Sequence, residues 1–136
     1  MADVVDSATR SRMMAGIRGA NTQPEVRLRK SLHRLGLRFR IHRAGLPGRP
    51  DIVFPGRMAV VLVHGCFWHR HKGCRFATVP ATRADFWKGK FDTNVERDAR
   101  NVKALRKLGW RVRIVWECDI RKDVDRVATS IGRWLA

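Results

Sequence analysis

A continuous apolar run, MAVVLV (58–63), leads without a break into the segment HGCFWH (64–69). Six apolar residues in a row are typical of a central strand that is buried on both faces of its sheet. The segment DIVF (51–54), closed by a Pro-Gly turn, predicts a short strand that forms a hairpin with this one. A further strand is predicted at RVRIVW (111–116), so the chain is built around a sheet.

One more strand and several helices are predicted around this sheet. The alternation of Leu37, Phe39 and Ile41 with polar residues predicts a strand with one solvent-exposed face. Leucines at helical spacing and a proline in the first turn predict a helix that begins after Thr22 and ends at Gly36. Three further helices are predicted, at 8–17, from the capping box TNVE (93–96) to Gly109, and over about 122–135.

The predicted element order is α-α-β-β-β-α-β-α, which gives an α/β fold of the α+β kind, a mixed sheet flanked by helices. A chain of 136 residues has the size of one domain. We therefore expect a single domain, 1–136, in which residues 1–20 form an arm with a short helix and residues 21–136 form the core.

The charge balance points to a polyanionic partner. The chain has 29 Lys and Arg against 12 Asp and Glu, a formal net charge of +17. Self-repulsion of this size destabilises a small fold unless a partner neutralises it, and nucleic acid is the main candidate. A solvated basic surface that serves only solubility is the alternative. Because no stretch approaches the ~20 apolar residues of a membrane span and the start has no signal-peptide pattern, we expect a cytoplasmic, nucleoid-associated protein that makes no membrane contact.

Carboxylates are scarce, and glutamate occurs only at positions 25, 96 and 117. Asp51 opens the hairpin strand beside the end of the strand 58–63, where a carboxylate and a neighbouring backbone carbonyl can hold Mg²⁺. His64 and His69 flank the same strand end, and a neutral imidazole can take a proton from an attacking water. Together with Glu25, in the first turn of a helix, these residues form a predicted acidic centre. The alternative for the aspartate is that it only shapes a turn after Pro50.

Three of the five histidines and two of the three cysteines lie within HGCFWHRHKGC (64–74). The third cysteine directly follows the predicted strand 111–116, and an adjacent strand would bring it to the same edge of the sheet. A closed set of three cysteines and one histidine is typical of structural zinc. The predicted zinc ligands are Cys66, His71, Cys74 and Cys118. Spacing alone does not decide between His71 and His69, and unpaired cysteines without a metal are the other alternative.

Large aromatic side chains lie among positive charges in two segments of the chain. In DNA-binding proteins such side chains stack on bases or wedge between base steps, while nearby Lys and Arg hold the phosphates. Packing into the core is the alternative for the aromatic residues. The predicted DNA contacts in these segments are Phe67, Trp68, Arg83, Trp87, Lys88 and Lys90.

Seven segments of the sequence carry a family pattern: ATRSRMM (8–14), LPGRPD (46–51), HGCFWH (64–69), VPATR (79–83), FW (86–87), NVERD (94–98) and LGWRVRIVWEC (108–118). In these segments, which span nearly the whole chain, the sequence closely resembles the very-short-patch repair (Vsr) DNA mismatch endonucleases of bacteria. The resemblance implies a restriction-endonuclease fold and a Mg²⁺-dependent nick on the 5′ side of the thymine in a T:G mispair. It also leads us to expect a monomer that acts on double-stranded DNA containing the mispair.

The resemblance implies roles for individual residues. Asp51 would bind the catalytic metal together with the backbone carbonyl of Val63. His69 would be the general base, assisted by Glu25 and His64.

The resemblance also implies how the mispair is contacted. Met14 would probe the opposite groove, and the aromatic wedge beside the mispair would consist of Phe67, Trp68 and Trp87. The chain departs from the family pattern at two points. Val63 stands where the family has a threonine, which a carbonyl contact tolerates, and the loop from His71 to Cys74 is one residue longer than the family spacing.

Two other functions stay open from the sequence. A restriction-type nuclease of another specificity would use the same acidic centre on matched duplex. A non-catalytic zinc-containing DNA-binding module would use only the basic surface and the aromatic residues. The acidic centre favours an enzyme, because a pure binder gains nothing from a carboxylate placed against a phosphate.

Overall fold

The structure, a computed structural model, describes residues 22–136. The predicted arm 1–20, with its helix at 8–17 and Met14, lies outside the described residues. The described elements are α1 (Gln23–Arg34), β1 (Arg40–Ile41), β2 (Ile52–Phe54), β3 (Ala59–His64), α2 (Ala84–Lys107), β4 (Arg111–Trp116) and α3 (Glu117–Leu135), with a 3-10 turn (Pro55–Arg57) between β2 and β3. None of the helices within residues 22–136 has the length and apolar composition to cross a bilayer.

The four strands form one mixed sheet in the order β1-β2-β3-β4. The first three strands are antiparallel neighbours, and β4 runs parallel to β3 with Val63 opposite Val115 and His64 opposite Trp116. Because parallel strands end at the same edge, the segments that follow β3 and β4 lie side by side. The predicted mixed sheet with flanking helices is confirmed, and so are the bounds expected for β4.

Helices cover both faces of the sheet. On one face α1 and α3 pack against the sheet, with Leu28, Leu32 and Ile131 among the fully buried side chains. On the other face α2 contributes Leu105, which packs with Val60 and other buried residues of the sheet. The two helices of the first face are also tied by Ser31, whose hydroxyl donates to the Asp125 carboxylate at 2.6 Å. This three-layer core holds the carboxyl ends of β3 and β4 in a fixed position.

The strand predicted over residues 37–41 is shorter than expected. Only Arg40 and Ile41 pair with β2, because β2 itself has three residues, bounded by the 3-10 turn on one side and Asp51 on the other. Leu37 and Phe39 still pack against the core, as partly buried residues of irregular backbone. The alternating pattern therefore predicted correctly which side chains pack against the core, but it predicted more backbone pairing with β2 than the structure has.

The long helix α2 begins earlier than the capping box predicts. It runs from Ala84 to Lys107, so the segment 93–96 lies inside it and the predicted start at Thr93 is wrong. The Thr93 hydroxyl does not cap a helix; it donates to the carbonyl of Gly89 at 2.9 Å, one turn earlier. The added turns carry Phe86, Trp87 and Phe91 into an aromatic cluster, and this packing outweighs the weak local signal for a start at residue 93.

The last helix also extends beyond its predicted start. It spans Glu117–Leu135, but Asp123 has extended backbone angles that divide it into two parts. The Asp123 carboxylate accepts the N–H of Arg126 at 3.1 Å, which caps the second part, close to the predicted helix 122–135. The first part was not predicted, and it carries Cys118 at the edge of the sheet.

Candidate active site and metal-ligand clusters

A cleft of about 980 Å³ lies at the edge of the sheet where β3 ends. Its walls come from the first turn of α1, the segment before β2, the loop after β3 and the middle of α2. The four residues of the predicted acidic centre all line it: Glu25, Asp51, His64 and His69. The structure therefore brings this predicted set together in one cavity.

Asp51 is fixed by the hairpin that the sequence predicted. Backbone pairing between β2 and β3 ends at Ile52 and Val61, so the N–H of Val63 is not used by β2. That N–H donates to Asp51 Oδ2 at 2.7 Å. The hydrogen bond places the carboxylate beside the backbone of Val63, the residue predicted to offer its carbonyl to a metal.

Two more ligand-type side chains lie beside Asp51. Glu25 is 3% exposed in the first turn of α1, and its backbone N–H is capped by the Thr22 hydroxyl at 3.4 Å. Its Oε2 lies 2.9 Å from Nε2 of His42, the residue that follows β1. The ligand atoms of Glu25, His42 and Asp51 all lie within 4.8 Å of one another. Burial and the neighbouring Glu25 charge raise the pKa of Asp51 from 3.8 to about 7.

His64 and His69 stack on each other, with ring centroids 3.9 Å apart and nearly parallel planes. His64, the last residue of β3, is 6% exposed and also meets the edge of Trp116. Burial and the adjacent His69 lower the pKa of His64 from 6.5 to about 4. His64 is therefore neutral at physiological pH, where it can donate or accept a hydrogen bond but does not carry charge.

The second histidine of the stack is held by a carboxylate. His69 Nδ1 lies 2.5 Å from Asp98 Oδ2, and both side chains are largely buried. Asp98 projects from the middle of α2, which crosses over the loop that carries His69. A carboxylate on Nδ1 keeps the proton on that nitrogen and leaves Nε2 to accept one, the arrangement of a general base with an orienting partner.

The four predicted zinc ligands also converge. The Nδ1 atom of His71 lies 3.6 Å from the Cys66 sulfur and 3.3 Å from the Cys118 sulfur. With Cys74 these residues offer four ligand atoms within 4.8 Å of one another. His69 is not part of this group, because it faces Asp98. Three thiols and one imidazole at this separation suit a tetrahedral zinc ion, and burial raises the pKa of the Cys66 thiol to about 12 in the metal-free chain.

The loop from His71 to Cys74, which the family resemblance leads us to expect to be one residue longer than the family spacing, forms a tight turn. The N–H of Cys74 donates to the carbonyl of His71 at 3.2 Å, and Gly73 between them has φ +74°. Glycine adopts that angle without the strain that most side chains would add. The turn returns Cys74 to the other three ligands.

The zinc-ligand cluster and the histidine stack share one aromatic support. Trp116, the last residue of β4, stacks on the ring of His71 with centroids 4.1 Å apart, and its ring also contacts His64. The same tryptophan therefore supports both the histidine stack and the zinc-ligand cluster.

The predicted aromatic wedge forms a packed cluster. Phe67, Trp68 and Trp87 contact one another and Phe91, with ring centroids 5.1–5.9 Å apart. Trp68 is only 5% exposed, whereas its two partners in the predicted wedge are half-buried. Phe86, one residue before Trp87, is 50% exposed at the edge of this cluster.

Cationic side chains surround the cluster and the cleft. The predicted DNA-contacting residues Arg83 and Lys88 are exposed at the start of α2, and Lys90 is partly exposed. Within residues 22–136, the cleft itself is lined by three arginines that the sequence did not single out: Arg49, Arg97 and Arg121.

Sequence reasoning also missed two members of the cleft, His42 and Asp98. Asp98 lies within the segment NVERD (94–98), which carried the resemblance, but nothing local shows that α2 crosses the loop of His69. In the sequence, His42 belongs to the polar, solvent-facing side of the predicted strand. Its contact with Glu25 depends on how α1 packs beside β1.

Comparison with known proteins places these features in a family context. A family model described as DNA mismatch endonuclease Vsr matches residues 2–75. The chain is 52% identical over 121 residues to the DNA mismatch endonuclease Vsr of Escherichia coli strain K12, covering 89% of this chain and 77% of that protein. It is 48% identical over 120 residues to the type II nicking enzyme V.XorIIP of Xanthomonas oryzae pv. oryzae, covering 88% of both chains. Identity is 40% over 121 residues to the type II nicking enzyme V.NmeAIP of Neisseria meningitidis serogroup A, covering 89% of this chain and 86% of that protein.

Proposed function

Because the chain belongs to the Vsr family of DNA mismatch endonucleases, whose fold is of the restriction-endonuclease type, we propose that it nicks one DNA strand on the 5′ side of the thymine in a T:G mispair. Such mispairs arise when 5-methylcytosine deaminates, and the nick would initiate very-short-patch repair. The bond broken is a phosphodiester, so the reaction is a hydrolysis.

This proposal rests mainly on one observation: two different groups suited to catalysis line the same cleft. Asp51 offers a half-buried carboxylate beside the Val63 backbone. The pair formed by His69 and Asp98 lines the same cleft with the geometry of an oriented general base. A protein that only binds DNA has no use for either element, since each places a carboxylate close to the phosphates.

In the proposed reaction the protein's own groups do most of the positioning. Asp51 and the carbonyl of Val63 would hold Mg²⁺, with Glu25 close enough to assist. When bound, Mg²⁺ polarises the scissile phosphate and stabilises its developing charge. His69 takes a proton from the attacking water through Nε2, while Asp98 stabilises the resulting imidazolium. Neutral His64 keeps the His69 ring in place by stacking on it.

A structural zinc ion would organise the loop that carries His69. Its ligands would be Cys66, His71, Cys74 and Cys118, a closed set that leaves no position for substrate. This assignment is supported by the convergence of four ligand atoms from the loop after β3 and from the start of α3.

DNA would be held by cations around the cleft and read at the mispair by aromatic side chains. Arginines that line the cleft, together with Arg83, Lys88 and Lys90, would neutralise phosphates. Phe67 and Trp87 would press against the mispair, with Trp68 beneath them as support, and Met14 would contact the opposite groove. A mispair unstacks at lower cost than a matched pair, which favours a wedge at that position.

The replacement Asp51→Ala tests whether the chain is an enzyme or a non-catalytic DNA-binding module. We expect the variant to bind a T:G duplex with an affinity close to that of the wild type and to lose nicking in the presence of Mg²⁺. Binding is measured by fluorescence anisotropy and nicking by denaturing electrophoresis of end-labelled duplex. Wild-type protein that binds the duplex but never nicks it would support the binding module instead.

A further inference from the structure

Three ligand-type side chains from three different segments meet beside the cleft. Glu25 Oε2 and His42 Nε2 are 2.9 Å apart, and Asp51 completes a group whose ligand atoms lie within 4.8 Å of one another. Glu25 is 3% exposed and the His42 side chain 18% exposed, so the group is largely shielded from solvent. Two ligands on one octahedral ion with ~2.1 Å bonds are separated by roughly 3 Å, the separation of Glu25 Oε2 and His42 Nε2.

A simple hydrogen bond accounts for only part of this group. It explains the contact between His42 and Glu25, but it leaves the half-buried Asp51 carboxylate beside a second carboxylate. Arg29, one turn along α1, also forms an ion pair with Glu25, at 3.6 Å from the oxygen that His42 contacts. A bound dication would relieve the repulsion between the two carboxylates.

We propose that His42 is a direct metal ligand, and that Glu25, His42 and Asp51 form a mixed nitrogen and oxygen site for a divalent first-row transition ion. The inference deepens the proposed function and rests on it in one respect, the use of Asp51 as the metal-binding carboxylate. It adds a nitrogen ligand to that site and changes the ion the site prefers.

The imidazole of His42 determines which divalent ion the site prefers. Mg²⁺ is a hard cation that selects oxygen ligands and holds its waters tightly. Affinity of nitrogen-containing sites rises along the first transition row from Mn²⁺ onwards. The site should therefore bind Mn²⁺ more tightly than Mg²⁺, and His42 should be the cause of the difference.

The backbone holds His42 in this position. Its φ of +46° lies in the left-handed region, and its N–H donates to the carbonyl of Asp51 at 3.3 Å. Asparagine adopts this region more readily than most residues. His42→Asn therefore removes the ring without adding backbone strain, and His42→Gln serves as a second variant of different shape.

Mn²⁺ alone, added to the DNA-free protein, is the suitable probe. Free Mn²⁺ is counted by its electron paramagnetic resonance signal, and pulsed spectra of bound Mn²⁺ show whether a ¹⁴N nucleus is coordinated. The cysteine cluster does not interfere, because thiolates select softer ions. His33→Gln, which alters an exposed histidine on α1, is the matched control, and thermal unfolding checks that each variant is folded.

We expect one Mn²⁺ per wild-type chain beyond any zinc, with a ¹⁴N signal that His33→Gln retains and both His42 variants lose. Mn²⁺ affinity should fall at least about tenfold in the His42 variants, the lower end of what loss of a supporting residue costs a metal site. Mg²⁺ affinity, measured by competition, should change much less. A ¹⁴N signal that persists without His42, unchanged Mn²⁺ affinity, or no Mn²⁺ bound by the wild type would each overturn the proposal. None of these readouts uses DNA, so absence of T:G nicking would refute the proposed function and leave this inference standing.

Discussion

At the scale of single residues, the cleft separates three acid–base environments within one small region. His64 is buried and neutral, His69 contacts the Asp98 carboxylate, and the pKa of Asp51 is raised to about 7. Burial is the main cause of the pKa shifts of His64 and Asp51, followed by the adjacent His69 ring and the Glu25 carboxylate. The division of roles among these groups can be tested one side chain at a time.

The first test at this scale concerns the general base. His69→Ala should lower the rate of nicking about 10²–10⁴-fold, the usual contribution of a general base, while binding of the T:G duplex is retained. Asp98→Asn should lower the rate by a smaller factor, because the ring remains but loses its orientation. Single-turnover nicking rates measure both effects. Turnover by His69→Ala at the wild-type rate would show that another group takes the proton.

The second test uses the pH dependence of stability. The folded chain holds a proton on Asp51 up to about pH 7, whereas the unfolded chain releases it near 3.8. The stabilising contribution of this group is therefore fully present below about pH 3.8, is lost progressively as pH rises from there to about 7, and changes no further above 7. Without added divalent cation, raising pH from about 5 to 8 should cost the wild type on the order of 2–4 kcal/mol relative to Asp51→Asn.

Urea unfolding of both proteins at the two pH values measures this difference, and the titrations that the two proteins share cancel in the comparison. A difference that stays constant with pH would show that the pKa of Asp51 is not raised. Addition of Mn²⁺ or Mg²⁺ should reduce the pH dependence, because the cation replaces the proton.

At the scale of elements, the sequence predicts those strands and helices that depend on a continuous local pattern of residues. β3 is apolar up to its final histidine, whereas arginines alternate with apolar residues at the start of β4. The strands and their neighbouring ends were predictable from these patterns, and with them the convergence of Asp51 with His64 and of Cys118 with Cys66. The start of α2 was not, because it depends on Trp87 and Phe91 packing against Phe67 in the loop after β3. The roles of Asp98 and His42 were missed for the same reason: each contact joins segments that only the packed fold brings together.

The aromatic cluster gives a prediction about the packing between α2 and the loop after β3. Because Trp68 is 5% exposed and surrounded by aromatic rings, Trp68→Ala should lower the free energy of unfolding by about 3–5 kcal/mol. Phe86→Ala, at the exposed edge of the cluster, should cost less than about 1 kcal/mol. Urea unfolding measures both values. Equal small losses in the two variants would mean that Trp68 serves DNA contact and not the packing of the free protein.

The zinc-ligand cluster gives a second prediction at this scale. Cys118→Ser removes the ligand supplied by α3, so zinc content should fall from one ion per chain and the melting temperature should drop with it. Lys122→Ser, an exposed position on the same helix, is the control and should keep both values. Metal analysis by mass spectrometry and a thermal melt provide the readouts. Full zinc content in Cys118→Ser would exclude this cysteine as a ligand.

At the scale of the whole molecule, the net charge of +17 and the position of the cleft act together. In the part of the chain that the structure describes, three arginines line the cleft, and further cations surround the aromatic cluster. Affinity for duplex DNA should therefore fall steeply with salt. Between about 50 and 200 mM salt we expect a loss of about 10³-fold or more, as for six or more phosphate contacts. Anisotropy titrations over this range give the slope, and a nearly flat dependence would mean that few phosphates are neutralised.

The account as a whole depends on the selectivity of the cut. The most direct measurement compares a T:G duplex with the same sequence fully matched, each strand labelled in turn, at equal protein and Mg²⁺ concentrations, with the cut mapped to the nucleotide. We predict a single nick immediately 5′ of the mispaired thymine, with no cut in the guanine strand or in the matched duplex. Equal cleavage of matched and mispaired duplexes would contradict the account and identify a restriction-type nuclease.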